Sequence, residues 1–384
     1  MSAPPRNVDP QHWLRLLYAR AMSPLELDAL RNTVGGLPEL CALSMPALIE
    51  LGISEAAAKR LASPDNAQLE CDLAWLERDG RTLLTCDDPA FPSLLRRLPD
   101  APVALYAVGD TSILALPQFA MVGSRNPTPT GRDTAVAFST HLARVGLSIV
   151  SGLATGIDAA AHEGALAAGG HTVAVCGTGL DIIYPARHRD LAIRIARDGL
   201  LLSEYPVGSP ARAHHFPQRN RLISGISVGT LVVEAARKSG SLITAQRAVE
   251  QGRDVFAIPG SIHNPLARGC HQLLREGAKL VESAEDILSE LAPLVQAHVA
   301  PEDPAEQGVL TPDDKPSEIE NDPDYTRLLN ALDHDPVSVD KLIERTALTA
   351  DAVSSMLLIL ELEGRISPVS GGRYVLKCGG TSSS

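Results

Sequence analysis

Between Gln118 and Ile258 the chain alternates short, unbroken apolar runs with longer segments of mixed polarity. The runs are Phe119–Val122, Leu147–Val150, Thr172–Cys176, Leu200–Leu202, Leu231–Val233 and Val255–Ile258. Runs this short, without a polar residue at every second position, read as strands buried on both faces. The stretches 130–144, 157–168 and 245–251 between them read as helices. Strands alternating with helices predict an α/β domain whose parallel sheet is covered on both faces. Ligands on such a sheet sit beyond the carboxyl ends of its strands.

The flanks are patterned differently. Up to about Ala62, short helical pieces follow one another at 12–21, 37–40, 45–51 and 54–61. They resemble a helix-hairpin-helix or SAM-like module, without the second hairpin glycine that would bring backbone amides to a DNA phosphate. Packing is one role for them and DNA contact the other. A connecting stretch follows, with Leu83-Leu84-Thr85, Asp87-Asp88-Pro89-Ala90-Phe91-Pro92 and Ala104–Gly109. Residues 293–323 are acidic and proline-rich, a linker that buries no core. From about Tyr325 the order is helix, helix, helix, hairpin (325–332, 339–346, 350–363, 365–377), a winged-helix pattern. The expected plan is therefore a helical domain over 1–82, an α/β domain over 83–292, a linker over 293–323, a winged helix over 324–377 and a frayed tail over 378–384.

A net charge of −12 argues against a nucleic-acid partner until its distribution is read. Residues 1–116 hold 10 Lys+Arg against 15 Asp+Glu, and residues 291–384 hold 7 against 16. Residues 117–290 hold 17 against 15, with eight of the eleven histidines. The acid sits in the flanks, so the α/β segment is free to meet phosphate. Aromatics make up only 3% of the chain, which leaves few rings for stacking on bases. The cysteines 41, 71, 86, 176, 270 and 378 form no CxxC pair, as suits reduced thiols in a cytoplasm. The first residues, MSAPPRNVDP, lack an apolar core of a signal peptide, and no apolar run approaches a membrane span. A soluble, cytoplasmic protein is expected.

Every expected strand end carries glycine or serine. Gly123-Ser124-Arg125 follows the first, Ser151-Gly152-Leu153-Ala154-Thr155-Gly156 the second, Gly177-Thr178-Gly179 the third and Ser203-Glu204 the fourth. A further strand, Val228–Glu234, leads to a helix entered through Ser239-Gly240-Ser241. Small residues where a strand meets a helix leave backbone N–H groups facing an anion. Arginine adds bidentate phosphate recognition. Arg125 stands directly beyond a strand, and Arg219-Asn220-Arg221 is a cationic triplet. The two arginines of that triplet bind phosphate or else form ion pairs, for example with Glu204 or Glu234. Asn220 offers a donor and an acceptor to base or phosphate. Phe216 stacks on a base or is buried. The candidate anion site is completed by Lys238, Ser241 and Thr244 around the helix start. Neither GxGxxG nor GxxxxGK[ST] is present, which disfavours a dinucleotide fingerprint or P-loop. Asp158 and His162, four apart, and His214-His215 lack a third metal ligand at readable spacing, and no GxSxG elbow surrounds a serine. No catalytic residue, metal or cofactor is expected.

These motifs in this order resemble DNA-processing protein A, the DprA/Smf family of bacteria. The matching pieces are Val122–Arg125, Ser151–Ala154 with Gly156-Ile157-Asp158 and Ala161-His162, Gly179-Leu180-Asp181 with Tyr184-Pro185, and Ser203–Pro206. They continue with Phe216-Pro217, Arg219-Asn220-Arg221, Ser239–Ala245 and Pro259-Gly260. Asp88, Phe91-Pro92 and Tyr106 to Gly109 resemble the family's lead-in. The likeness covers residues 85–290 closely and the flanks loosely. It implies an extended Rossmann-like fold and a non-enzymatic protein that binds single-stranded DNA. Such a protein protects incoming DNA in natural transformation, loads the RecA recombinase and forms a homodimer through the Rossmann-like domain. Gly269-Cys270-His271 departs from the family, which has Asn in the third place. A different class is also represented: Gly229-Thr230 with Glu234 resembles the loop and glutamate of nucleoside-monophosphate phosphoribohydrolases, though without their Pro-Gly-Gly. A pure protein adaptor is the third class. In the winged helix, residues 349–363 hold Asp351, Glu361 and Glu363 and no Lys or Arg. That charge pattern predicts protein contact or regulation there, not sequence-specific DNA binding.

Overall fold

The computed structural model describes residues 9–299 and, further on, residues 325, 327–328, 331–332, 337–346, 348–349, 353, 356–357, 360, 366–369 and 373–376. The chain divides into two compact units, Met1–Pro301 and Glu302–Ser384.

The first unit is built on a nine-stranded sheet. Its strands are β1 (Arg81–Thr85), β2 (Ala104–Gly109), β3 (Gln118–Val122), β4 (Ser148–Ser151), β5 (Thr172–Val175), β6 (Leu200–Ser203), β7 (Gly229–Val232), β8 (Asp254–Ala257) and β9 (Lys279–Leu280). They lie in the order β1-β2-β6-β5-β4-β3-β7-β8-β9. β2 pairs antiparallel with both β1 and β6, and every other pairing is parallel. The six apolar runs all became strands. From β3 the chain winds outward through β4, β5 and β6, then returns to lay β7 on the opposite side of β3. That reversal opens a crevice beyond the carboxyl ends of β3 and β7, where ligands on open α/β sheets bind.

β1 and β2 were read only as a connecting stretch, yet they extend the sheet. Five residue pairs join them, Arg81↔Val108 to Thr85↔Ala104. Their polar ends and the proline-rich connection hide them from a search for unbroken apolar runs.

The sequence-based helices are Pro129–Arg144, Ile157–Ala167 and Gly240–Glu250, each with a structural reason to begin there. Thr128 caps the first by accepting from Gly131 N, and Ser239 caps the third by accepting from Ser241 N. Gly156, at φ 83, starts the second. In the N-terminal segment the helices are Pro10–Ala19, Pro24–Val34, Leu37–Ala42, Met45–Glu50, Glu55–Ala62 and Asn66–Leu76. Pro24–Val34 and Asn66–Leu76 were not read from the sequence, although Ser23 and Glu26 form a reciprocal capping box. This segment shares the sheet's core: Leu14, Leu17 and Trp75 cluster with Tyr106, Ala174 and Leu201. Asp72, fully buried, accepts from the hydroxyls of Tyr18 and Tyr106 and from Val207 N (2.9 Å). A single carboxylate thus ties two of the helices to β2 and to the loop after β6.

The helix Ala284–Val299 runs into the segment expected as linker. Residues 300–323 and the tail 378–384 lie outside the described residues. In the second unit the strands β10 (Val337–Ser338), β11 (Ile366–Val369) and β12 (Arg373–Leu376) form an antiparallel sheet in the order β10-β12-β11. The helix Val339–Thr346 packs beside it, with Leu328, Leu342, Val353, Leu357 and Leu360 in the core. This is the expected winged helix with a short strand added ahead of its helix. The acidic positions 351, 361 and 363 lie outside the described residues. No helix among the described residues is long and apolar enough to cross a membrane.

Candidate nucleic-acid interface

A cavity of about 760 Å³ occupies the crevice beyond β3 and β7. Gly123, Ser124, Arg125, Phe216, Arg219, Asn220, Lys238, Ser241 and Thr244 line it, so nine of the candidate residues meet in one place. The loop after β3 presents Arg125 and is clamped from below. Ser124 O accepts from Ile157 N (3.1 Å), and Arg125 O accepts from the Thr155 hydroxyl (3.0 Å). The exposed Arg125 guanidinium lies 5.7 Å from the centre of the Phe216 ring, a cation–π distance. Across the crevice, Lys238 is exposed, and the first turn of the helix Gly240–Glu250 turns its positive end toward the cavity.

The triplet Arg219-Asn220-Arg221 lies on the helix His215–Gly225, which the sequence reading did not recognise. Residues two apart on a helix point about 200° apart, so the two arginines cannot share a site. Arg219 points inward and is 3% exposed. Its Nη1 donates to Gly152 O (2.7 Å) and to Val175 O, fixing the ends of β4 and β5 against each other. Burial pulls this guanidinium below its ordinary range, and the buried Asp158 carboxylate opposes the shift. Arg221 does not line the cavity. It donates to Glu204 Oε2 (2.5 Å) and lies 3.8 Å from Asp100. The structure therefore corrects the pairing of these arginines: Arg221 takes the ion-pair role with Glu204, and Arg219 is a strut beneath the cavity floor.

Gly152, Gly156, Gly177 and Gly179 do not line the cavity either, and two of their amides are engaged within the protein. Gly152 N donates to Asp158 Oδ2 (3.1 Å), and Gly179 N to Ser209 O (3.0 Å). A Cβ on Gly152 would lie 2.6 Å from an Arg219 nitrogen, and one on Gly156 2.3 Å from Ser124 O. A Cβ on Gly177 would press on the Phe216 ring at 3.0 Å. These glycines let the cavity's supports approach closely, whereas the sequence reading offered their amides to the anion.

Asp158 is the one carboxylate in the lining. Burial raises its pKa while Arg219 and the amides of Ala154 and Gly152 hold it down. Its charge faces the protein's own donors, so it repels a bound anion little. His162 is fully buried, its Nδ1 paired with the Thr172 hydroxyl (2.7 Å). Among the described residues no cluster of His, Cys, Asp or Glu is arranged to hold a metal. Asn126 and Tyr184 also line the cavity without having been singled out for it. Tyr184 is 48% exposed, and its ring lies 5.4 Å from that of Phe216. A tyrosine between β5 and β6 in a chain with so few aromatics was the available signal. His271, in the loop that departs from the family, sets Nε2 3.0 Å from Gly260 O.

Glu234, the residue behind the hydrolase reading, does not line the cavity. Its carboxylate accepts from Thr128 N (2.8 Å), the Thr128 hydroxyl (2.7 Å) and Asn264 Nδ2 (3.3 Å). It anchors the start of the helix Pro129–Arg144.

Fold and cavity together define a Rossmann-like α/β protein with a cation-bearing pocket at its switch point and a winged helix. Residues 82–292 match the family model "DNA recombination-mediator protein A", and residues 312–372 match "DprA winged helix domain". The chain belongs to the DprA/Smf family. It is 38% identical to Protein Smf of Escherichia coli over 371 residues, covering 96% of each chain. It is 50% identical to DNA processing protein DprA of Streptococcus pneumoniae over 203 residues, 53% of this chain and 72% of that one. The crystal structure of the Streptococcus pneumoniae DprA superposes with a TM-score of 0.64, covering 73% of this chain and 97% of that chain at 38% identity. A Helicobacter pylori DNA processing protein A, described for its single-stranded DNA binding mode, superposes at 0.50 with 32% identity, covering 56% of this chain and 96% of that one.

Proposed function

We propose that this chain binds single-stranded DNA in the switch-point cavity, protects it in the cytoplasm during DNA uptake and recombination, and passes it to the RecA recombinase as a homodimer. The observation that carries this is the lining of the cavity. Arg125, Lys238 and a helix N-terminus supply positive potential, Phe216 and Tyr184 supply rings, and the only carboxylate is tied to the protein's own amides. Phosphate contacts provide affinity without reading sequence, and rings accept any base. The DNA-processing names of the Streptococcus and Bacillus subtilis relatives, and the strand-binding mode described for the Helicobacter protein, support the same assignment. A second copy of the chain would place two modest cavities on one strand and gain by effective concentration. The handover to RecA rests on the family likeness.

Binding without turnover is the reading favoured by Glu234, whose oxygens are engaged at a helix start away from the cavity. Incubation with nucleoside monophosphates should release no free base, while a labelled single strand is retained in a gel shift. Base release abolished by Glu234→Gln would overturn this reading.

A further inference from the structure

A second cavity, of about 300 Å³, adjoins the segment 209–214. Ala211 and Ala213 line the switch-point cavity, whereas Pro210, Arg212 and His214 line the second. Side chains alternate sides along an extended chain, so one thickness of backbone forms the wall between the two. Arg20, Arg212, His214 and His215 line the second cavity, and no carboxylate does. Arg20 comes from the N-terminal helical segment, directly after the helix Pro10–Ala19. Its backbone is left-handed at φ 45, a conformation that non-glycine residues hold where their surroundings over-determine it. Its guanidinium lies 5.3 Å from the centre of the Tyr205 ring and donates to Gln218 Oε1 (3.3 Å). The Tyr205 ring is itself stacked on His215 at 4.0 Å, so Arg20 rests on a buried aromatic base. On its other side Arg20 borders a cavity lined by Glu26, Asp100 and Glu204, which an anion avoids.

We infer that a bound single strand runs from the switch-point cavity across the 209–214 segment and sets a further phosphate against Arg20, Arg212 and His214. The N-terminal segment is then part of the DNA-binding surface. Its contribution is one arginine held in place, not the hairpin amides that its sequence lacks. The buried Asp72, joining this segment to β2, keeps Arg20 in register with the sheet. This inference rests on the proposed binding of single-stranded DNA at the first cavity.

The test is fluorescence anisotropy on the full chain with oligothymidylates of about five and about twenty nucleotides, lengths that bracket typical single-strand site sizes. Arg212→Gln is the clean variant because Arg212 is exposed, and the double variant with Arg20→Gln removes both charges. For the longer strand, the double variant should weaken binding and flatten the log–log salt slope by about 1.4, roughly 0.7 for each lost phosphate contact. The shorter strand should bind as it does to the unaltered protein, and Arg212→Lys should restore most of the slope. Unaltered affinity and slope for the longer strand, with Arg125→Ala weakened for both lengths, would overturn the second site alone. An equal loss for both lengths in the double variant would also overturn it, because the effect would then lie in the first cavity or the fold. Unaltered binding of both lengths by Arg125→Ala would overturn the reading beneath it.

Discussion

Replacing Arg219 with methionine keeps most of the side-chain length and removes the guanidinium from beneath the cavity. Two buried carbonyls, those of Gly152 and Val175, then lose a charged donor. Hydrogen bonds to charged groups contribute about 1.5–3 kcal/mol each. The Asp158 carboxylate would also stay buried without its neighbouring cation, and breaking a buried pair of charges costs about 3–5 kcal/mol. These losses overlap, since one guanidinium supplies them all, so the expected destabilisation is about 3–5 kcal/mol in total. For a unit of this size that lowers Tm by about 6–20 °C. Thermal melts by circular dichroism would be run beside single-strand anisotropy, with Arg125→Ala as the contrast. Arg125 is exposed, so its loss should change stability by no more than about 0.5 kcal/mol while weakening DNA binding. An Arg219→Met protein that melts like the unaltered chain yet loses DNA affinity as Arg125→Ala does would refute the assignment. Arg219 would then be a ligand contact and not a strut.

Arg221→Ala strands Glu204, whose side chain is 2% exposed, without its cation; a denaturant titration should show a clear loss of stability, with the salt slope of DNA binding unchanged. Burial lowers the His162 pKa from 6.5 to about 3, so its neutral form is the folded one. Stability from this group is complete above the unfolded value and is lost as pH falls. The loss should reach about 2 kcal/mol at pH 5 and should be absent from the pH profile of His162→Gln. Removing residues 302–384 takes away a strongly acidic segment and should leave single-strand affinity nearly unchanged; a tenfold loss, about 1.4 kcal/mol, would show that the winged helix touches DNA.

The sheet was legible because parallel strands are buried on both faces and so stand out as unbroken apolar runs. β1 and β2, at the edge of the sheet and partly polar, carry no such signature. The crevice was legible too, since small residues and Arg125 follow strand ends. What sequence could not supply was direction. Arg219 and Arg221 are neighbours in a list and opposites on a helix, and only the helix assignment at His215–Gly225 separates them. The glycines were found for a sound reason with a different use: they admit Arg219, Ser124 O and Phe216 at close range. Arg20 is invisible as a candidate because its relation to Tyr205 spans 185 residues and depends on how the helical segment docks.

The account's central claim is that the switch-point cavity holds the phosphates of a single strand. Its most direct test is the salt dependence of single-strand affinity for the unaltered chain, Arg125→Ala, Lys238→Ala and the double variant. Each substitution should lower affinity and reduce the log–log slope by about 0.7, and the double variant by about 1.4, with the melting temperature unchanged. Folded variants with the affinity and slope of the unaltered chain would contradict it.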